Sequence, residues 1–193
     1  MKVAIIKYNA GNVQSVIYAL NRLGVNPEVT DDLTAIKNAD KIIFPGVGEA
    51  SSAMRSLQKS GIDRIIPDLK QPFLGICLGL QLMCTYSEEN DTPCLGIFDL
   101  PVKKFAPKLK VPHMGWNRLE ELKSPLLMNL PAEPFVYFVH SYYAALGDAT
   151  IASANYINDF SAALNHNNFY AMQAHPEKSG AVGQKILQNF LDL

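Results

Sequence analysis

Short apolar, β-branched runs alternate with helical stripes through the first half of this chain, and that alternation narrows the possible folds more than any other feature. Lys2–Tyr8 is a strand-like run, and Asn9-Ala10-Gly11-Asn12 makes a turn. Val13, Val16, Ile17, Leu20 and Leu23 then recur at helical spacing until Gly24 stops the helix. A short strand near Pro27–Thr30 follows, and Lys41–Phe44 leads into Pro45-Gly46-Val47-Gly48. A helix over about Ala50–Ser60, a buried strand over Pro72–Ile76 and a helix over Leu78–Tyr86 continue the series. Strands and helices alternating at these lengths imply an α/β fold, with a mainly parallel central sheet flanked by helices.

From about Ser87 the pattern changes. Pro93, Pro101, Pro107, Pro112, Pro125, Pro131 and Pro134 punctuate the stretch Asn90–Pro134, where helical periodicity fades. Strand-like runs follow at Phe135–Val139, Ile151–Tyr156, Ser161–Leu164 and Phe169–Gln173, a candidate antiparallel extension of the sheet. Gly180–Leu191 closes the chain as a helix carrying Val182, Ile186, Leu187, Phe190 and Leu191 on one stripe. No repeat, low-complexity tract or linker interrupts residues 1–193, which read as one domain.

Composition removes several classes of function. The 193 residues are 48% apolar and 18% charged, a globular balance. Seventeen basic against 18 acidic side chains leave a net charge of -1, with no excess to hold nucleic acid or an anionic membrane. No apolar run approaches the ~18 residues of a membrane span. The first residues read as a strand rather than a signal peptide, because Lys7 and Asn9 break the stretch. Cys77, Cys84 and Cys94 are an odd, sparse set, which argues for reduced thiols and a cytoplasmic location. Cys84, about two helical turns or roughly 10 Å beyond Cys77 if both sit on one helix, is too far for a disulfide. His113, His140, His166 and His175 lack metal-ligand spacing, so no metal is expected.

The sharpest local signal is Gly75-Ile76-Cys77-Leu78-Gly79, which follows a strand and opens a helix. It has the form of a nucleophile elbow with cysteine in place of serine. A nucleophile there sits on strained backbone, so its neighbours must be small, and the helix start favours a thiolate and an oxyanion beside it. A buried structural cysteine between two packing glycines is the competing reading. His175-Pro176-Glu177 changes the balance. On an extended chain a two-residue step keeps His and Glu on one side, so Glu177 can hold the imidazole while its other nitrogen faces the thiol. The same tripeptide could instead cap the last helix. Pro45-Gly46-Val47-Gly48 can aim N–H groups at a developing oxyanion. Its rival reading is a dinucleotide loop, but Ser51 stands where a third glycine belongs and the loop is not the first strand–helix turn.

With these motifs in hand, the chain resembles the class I (triad) glutamine amidotransferases from its first strand to its last helix. Cys77 in the elbow, Gln81 after it and His175-Pro176-Glu177 carry that resemblance. Within the class it is most similar to the family of glutaminase subunits of imidazole glycerol phosphate synthase. Gly11–Val16, Pro45–Gly48, Pro112-His113-Met114-Gly115-Trp116-Asn117, Phe138–Tyr142 and His175–Gly180 match that family in order. Ala174 departs from it, since this position is more often aromatic. The resemblance implies a flavodoxin-like fold, no cofactor, and glutamine as substrate. Cys77 would attack the side-chain amide, His175 would act as base and then acid, and Glu177 would orient His175. The oxyanion would meet the N–H of Leu78 and one from Gly46, Val47 or Gly48. Gln81 and Glu89 would contact the amino-acid end of glutamine, with Ser141 and Tyr142 adding backbone contacts; Glu89 could instead lie on a solvated helix end beside Glu88. The partner would be a (β/α)8-barrel cyclase that consumes the ammonia, facing Asn12, Met114, Trp116, Asn117 and Lys178. As the lone tryptophan, Trp116 could equally be core. Gly46–Gly48 would rest with its N–H turned away until the cyclase docks. The alternatives are a paralogous subunit serving a surface sugar, a free-standing cysteine hydrolase and a non-catalytic docking protein.

Overall fold

The computed structural model describes residues 1–8 and 13–193; the turn expected at Asn9–Asn12 lies outside the described residues. Strand β1 (Val3–Ile6) is buried along its length. Its side chains alternate between faces, so Val3 and Ile5 join one core while Ala4 and Ile6 join the other. Helix α1 (Val13–Arg22) lays Val16, Ala19 and Leu20 on the first of these cores. It ends where Gly24, at φ 77°, lets the N–H of Val25 reach the Leu20 carbonyl. Strand β2 (Glu28–Thr30) lies parallel to β1. Helix α2 (Leu33–Lys37), which periodicity does not reveal, is capped by the Asp32 carboxylate on the Ala35 N–H at 2.7 Å. Its sole buried residue is Ile36, too little for a stripe.

Strand β3 (Lys41–Gly46) runs two residues past its expected end at Phe44, because Pro45 and Gly46 still pair beside Ile76 and Cys77. Helix α3 (Ala50–Ser60) has the expected bounds, and a short α4 (Ile62–Ile65) follows it. Strand β4 (Phe73–Cys77) passes directly into α5 (Leu78–Met83). That helix is shorter than expected. Cys84–Ser87 leaves it as an extended strand, β5, since the Cys84 and Thr85 carbonyls accept from Gly96 and Cys94. Thr85 and Tyr86 also suit a strand better than a helix. The helical separation assumed between Cys77 and Cys84 therefore fails, although all three cysteines are free.

The proline-rich stretch is not irregular. It carries β6 (Thr92–Pro93), β7 (Phe98–Lys104) and β8 (His113–Arg118). In β7, Phe98, Leu100 and Val102 are buried in alternation, and Pro101 joins the ladder through its carbonyl, which accepts from Ala145. Strand β9 (Phe135–His140) pairs with β8 as a separate antiparallel ribbon, so this run is not part of the extended central sheet. Strand β10 (Tyr142–Ala144) joins β7, β5 and β6 in a four-stranded sheet.

The remaining strands β11 (Thr150–Asn155), β12 (Asp159–His166) and β13 (Phe169–Met172), and helix α6 (Gly180–Asp192), complete the fold. The central sheet has the order β11-β12-β13-β4-β3-β1-β2. Strands β13, β4, β3, β1 and β2 are parallel, and β12 and β11 form the antiparallel extension. α1 and α6 cover one face; α2, α3, α4 and α5 cover the other. The carboxyl ends of β3, β4 and β13 lie side by side, which is where ligands bind in open α/β sheets.

Candidate active site

Cys77 occupies the junction of β4 and α5 with φ 54° and ψ −108°, a conformation that L side chains rarely adopt. The junction exists because glycine flanks it. A Cβ on Gly79 would stand 1.9 Å from the Phe44 carbonyl oxygen, and one on Gly75 would stand 2.5 Å from the Met83 sulfur. At Gly79 the elbow is thus pressed directly against the backbone of β3.

The last residues of β13 turn toward the same point. His175 is followed by a 3-10 turn, Pro176–Lys178, rather than the extended chain the two-residue step assumed. The turn still returns Glu177 to the ring: Nδ1 lies 2.7 Å from the Glu177 carboxylate, and both side chains are buried. His175 Nε2 is buried without a hydrogen-bond partner among the described residues. Burial alone would lower the His175 pKa, but the Cys77 side chain and the Glu177 carboxylate outweigh it and raise the value to about 10. An imidazolium poised between a sulfur and a carboxylate can hold a thiolate in its attacking form and return a proton to a leaving group. Ala174 is fully buried next to His175.

A cavity of about 340 Å³ opens over Cys77. Val47, Gly48, Leu78, Gln81, Glu89, Ser141, Tyr142 and His175 line it, whereas Gly46 lies in β3 beside Cys77 and stays outside the lining. Val47 and Gly48 are exposed at its rim, and Leu78 begins α5, where N–H groups lack helical partners. Glu89 is not on a solvated helix end. Its carboxylate accepts from the Ala50 N–H at 2.8 Å, and burial raises its pKa, with the Ala50 bond opposing. Gln81 donates to the Tyr142 carbonyl at 2.9 Å, which also accepts from His140 Nδ1 at 2.7 Å. A ligand reaching Tyr142 would therefore use its N–H or displace one of these donors.

The glutamine amidotransferase class-I family model matches residues 4–193. The chain is 59% identical, over the full length of both proteins, to the imidazole glycerol phosphate synthase subunit HisH of Bacteroides fragilis. Identity to the subunit of that name from Idiomarina loihiensis is 41%, covering 100% of this chain and 98% of that protein. The chain belongs to the class I glutamine amidotransferases, among the HisH subunits. Crystal structures of a glutamine amidotransferase (TM-score 0.77, 18% identity, 100% and 98% coverage) and of a GMP synthase subunit from Thermoplasma acidophilum (0.75, 22%, 100% and 92%) share its fold.

The residues expected to face a partner of this amidotransferase divide between two sides of the β8–β9 ribbon. Met114 and Trp116, 61% and 57% exposed, point outward, so Trp116 is not core. Lys178, next to Glu177 of the triad motif, is exposed as well. Asn117 faces the other way and donates to the Asn155 carbonyl at 2.8 Å. Asn12 lies outside the described residues.

Sequence reasoning missed a buried histidine pair in this amidotransferase. His113 and His140 face each other across β8 and β9, with His113 Nδ1 3.1 Å from His140 Nε2. Phe138 and Tyr156 stack on His113. Burial lowers the pKa of His113 to about 4 and that of His140 to about 3. The unfolded imidazoles, near 6.5, take up protons that the folded pair refuses, so stability falls as pH drops from 6.5 toward 4. Each histidine adds up to about 1.4 kcal/mol per pH unit in that window. Below about pH 6.5 the contribution of His175, whose folded pKa is raised, is already complete. Urea midpoints at pH 6.5, 5.5 and 4.5 should therefore fall steadily, and equal midpoints would contradict the pair's neutrality.

Proposed function

We propose that this chain is the glutaminase subunit of an imidazole glycerol phosphate synthase, acting as one amidotransferase domain in the cytoplasm. The observation that carries the reading is the strained Cys77 at the floor of a cavity, beside a buried His175–Glu177 pair. The Cys77 thiolate attacks the side-chain amide carbon of glutamine. His175, oriented by Glu177, donates its proton to the leaving ammonia. Water then adds to the thioester with His175 as base, which releases glutamate and restores the thiol. The Leu78 N–H and one from the Gly46–Val47–Gly48 loop meet the oxyanion. Glu89 receives the substrate ammonium and Gln81 its amino-acid end, with Ser141 and Tyr142 beside them. An ammonium ion arriving at a desolvated carboxylate restores the favourable electrostatics that burial removed.

The B. fragilis and I. loihiensis relatives are named as synthase subunits, which supports a partner subunit for this chain. That partner is a (β/α)8-barrel cyclase, which receives the ammonia and forms imidazole glycerol phosphate and an aminoimidazole carboxamide ribotide in histidine biosynthesis. Met114, Trp116 and Lys178 face it, while Asn117 braces the ribbon from its inner side. An exposed aromatic anchor suits such a contact. Docking turns the Gly46–Gly48 N–H toward the oxyanion.

Glutamate release by the pure chain, with and without the cyclase and its ribotide ligand, tests this reading. Stimulation of roughly 10- to 100-fold is expected, the range of an ordinary coupling free energy. Glutamine turnover that the cyclase leaves unchanged would point to another pathway. Turnover of peptides or esters with no preference for glutamine would point to a free-standing hydrolase.

A further inference from the structure

We infer that Gln173 is a positioning residue for the Cys77 nucleophile, its buried side-chain amide locked so that the N–H end faces the sulfur. The inference rests on the role proposed above for Cys77. Gln173 directly follows β13, is fully buried, and is anchored by its own N–H on the Ala162 carbonyl at 2.9 Å. It does not line the cavity, so it reaches substrate only through its neighbours Cys77 and Gln81.

A glutamine amide can face either way, and a chain of contacts removes that freedom. The Tyr142 carbonyl can only accept, so Gln81 must present its NH2 there. The same NH2 lies 3.0 Å from Gln173, which must therefore present its oxygen. The Gln173 NH2 is left 3.7 Å from Cys77 Sγ. Turning Gln173 over would set donor against donor at Gln81 and an oxygen against the sulfur. The Tyr142 carbonyl is itself held by His140 Nδ1–H, which leaves His140 Nε2 to accept from His113 Nδ1. That arrangement requires both imidazoles to be neutral, since an added proton would place N–H against N–H.

A donor at the sulfur strengthens as negative charge develops, so Gln173 favours the thiolate over the thiol and fixes its direction of attack. The titratable groups acting around Cys77 are His175, with Glu177 behind it, Tyr8, and Glu89 across the cavity. Tyr8 is tied to the Pro45 carbonyl at 2.8 Å and stays neutral, so its hydroxyl does not compete with Gln173.

The test is the pH dependence of Cys77 alkylation by iodoacetamide, read by mass spectrometry of the Cys77 peptide, in wild type, Gln173→Met and Gln173→Leu. Both variants remove the donor with differently shaped apolar side chains. The expected result is an upward move of the alkylation midpoint by about half to one pH unit in both, a full unit being tenfold at fixed pH. The kcat for glutamine should fall in step with the rise of the alkylation midpoint. A midpoint unchanged in either folded variant overturns the inference, as does a shift that follows the loss of melting temperature instead of the loss of the donor. The unmutated protein gives a second measurement: the Gln173 side-chain NH2 resonance should titrate with the Cys77 midpoint, and a resonance indifferent to it overturns the inference. Failure of the wild type to hydrolyse glutamine would defeat the proposed function while leaving the alkylation result readable.

Discussion

Replacement of Cys77 by alanine is expected to lower glutamine hydrolysis by ~10⁴-fold or more, in the presence of the cyclase as well as without it. No other cysteine lines the cavity among the described residues. Cys84 is buried in the core beneath α5, and Cys94 is not among the lining residues. Burial raises the Cys84 pKa outside the useful range and pushes Cys94 up to about 12. Alanine tolerates the backbone at position 77 no worse than cysteine, and the sulfur's hydrogen bonds are long, at 3.9 Å to the Val139 carbonyl and 3.7 Å to Gln173. Stability at neutral pH should nevertheless fall, because Cys77 helps hold the His175 proton in the folded state. His175 would lose the Cys77 side chain as a partner. Its pKa should fall from about 10, since burial would then be opposed by Glu177 alone. Glutamate release, a thermal melt and a titration of the His175 ring protons together check the prediction. Retention of more than about a thousandth of the wild-type rate would remove Cys77 as the nucleophile.

Gly79→Ala is expected to destabilise the protein by about 3 kcal/mol or more and to abolish glutaminase turnover with it. The added Cβ would stand 1.9 Å from the Phe44 carbonyl oxygen, and the obstacle is the backbone of the central strand β3, which cannot rotate aside. Either α5 lifts from the sheet, taking Leu78 and the Cys77 conformation with it, or β3 and β4 separate. In a chain of this size that loss corresponds to a fall of roughly 6–12 °C in melting temperature. Gly24→Ala is the control. It meets open space and carries only the strain of φ 77°, about 1 kcal/mol, with activity intact. If the two variants melt together, the backbone contact at Gly79 is not what holds the elbow.

The elements that can be read from the sequence are those whose burial is complete or whose stripe is long. β1, β4 and the Ile42–Phe44 core of β3 are continuous apolar runs, and α1, α3 and α6 carry several buried residues at helical spacing. α2 and α4 bury one residue each and leave no periodic trace. Pro101 hides β7, although its Phe98, Leu100 and Val102 alternate; the ladder needs only the proline's carbonyl at that register. The largely apolar run Leu78–Tyr86 makes α5 look longer than it is. Only the hydrogen bonds of Cys84 and Thr85 to the loop at Cys94–Gly96 show where the helix gives way.

The candidate site divides in the same way. Cys77, His175 and Glu177 are legible because an elbow and a His-x-Glu step are local patterns, each carried by five or fewer consecutive residues. Gln173 has no such signal. A single glutamine after a strand gains meaning only when Gln81, 92 residues away, turns its amide. The His113–His140 pair depends on the register of β8 against β9 across 27 residues, including prolines that disguise the first strand. By itself the sequence determined which residues could do chemistry and which stretches must be buried, because hydrophobic period and turn chemistry act over a few neighbouring residues. The tertiary structure alone decided which distant polar groups meet and which way each amide and imidazole points. Those choices follow from donors and acceptors that must satisfy one another away from water, and that constraint belongs to the packed interior and to no single segment.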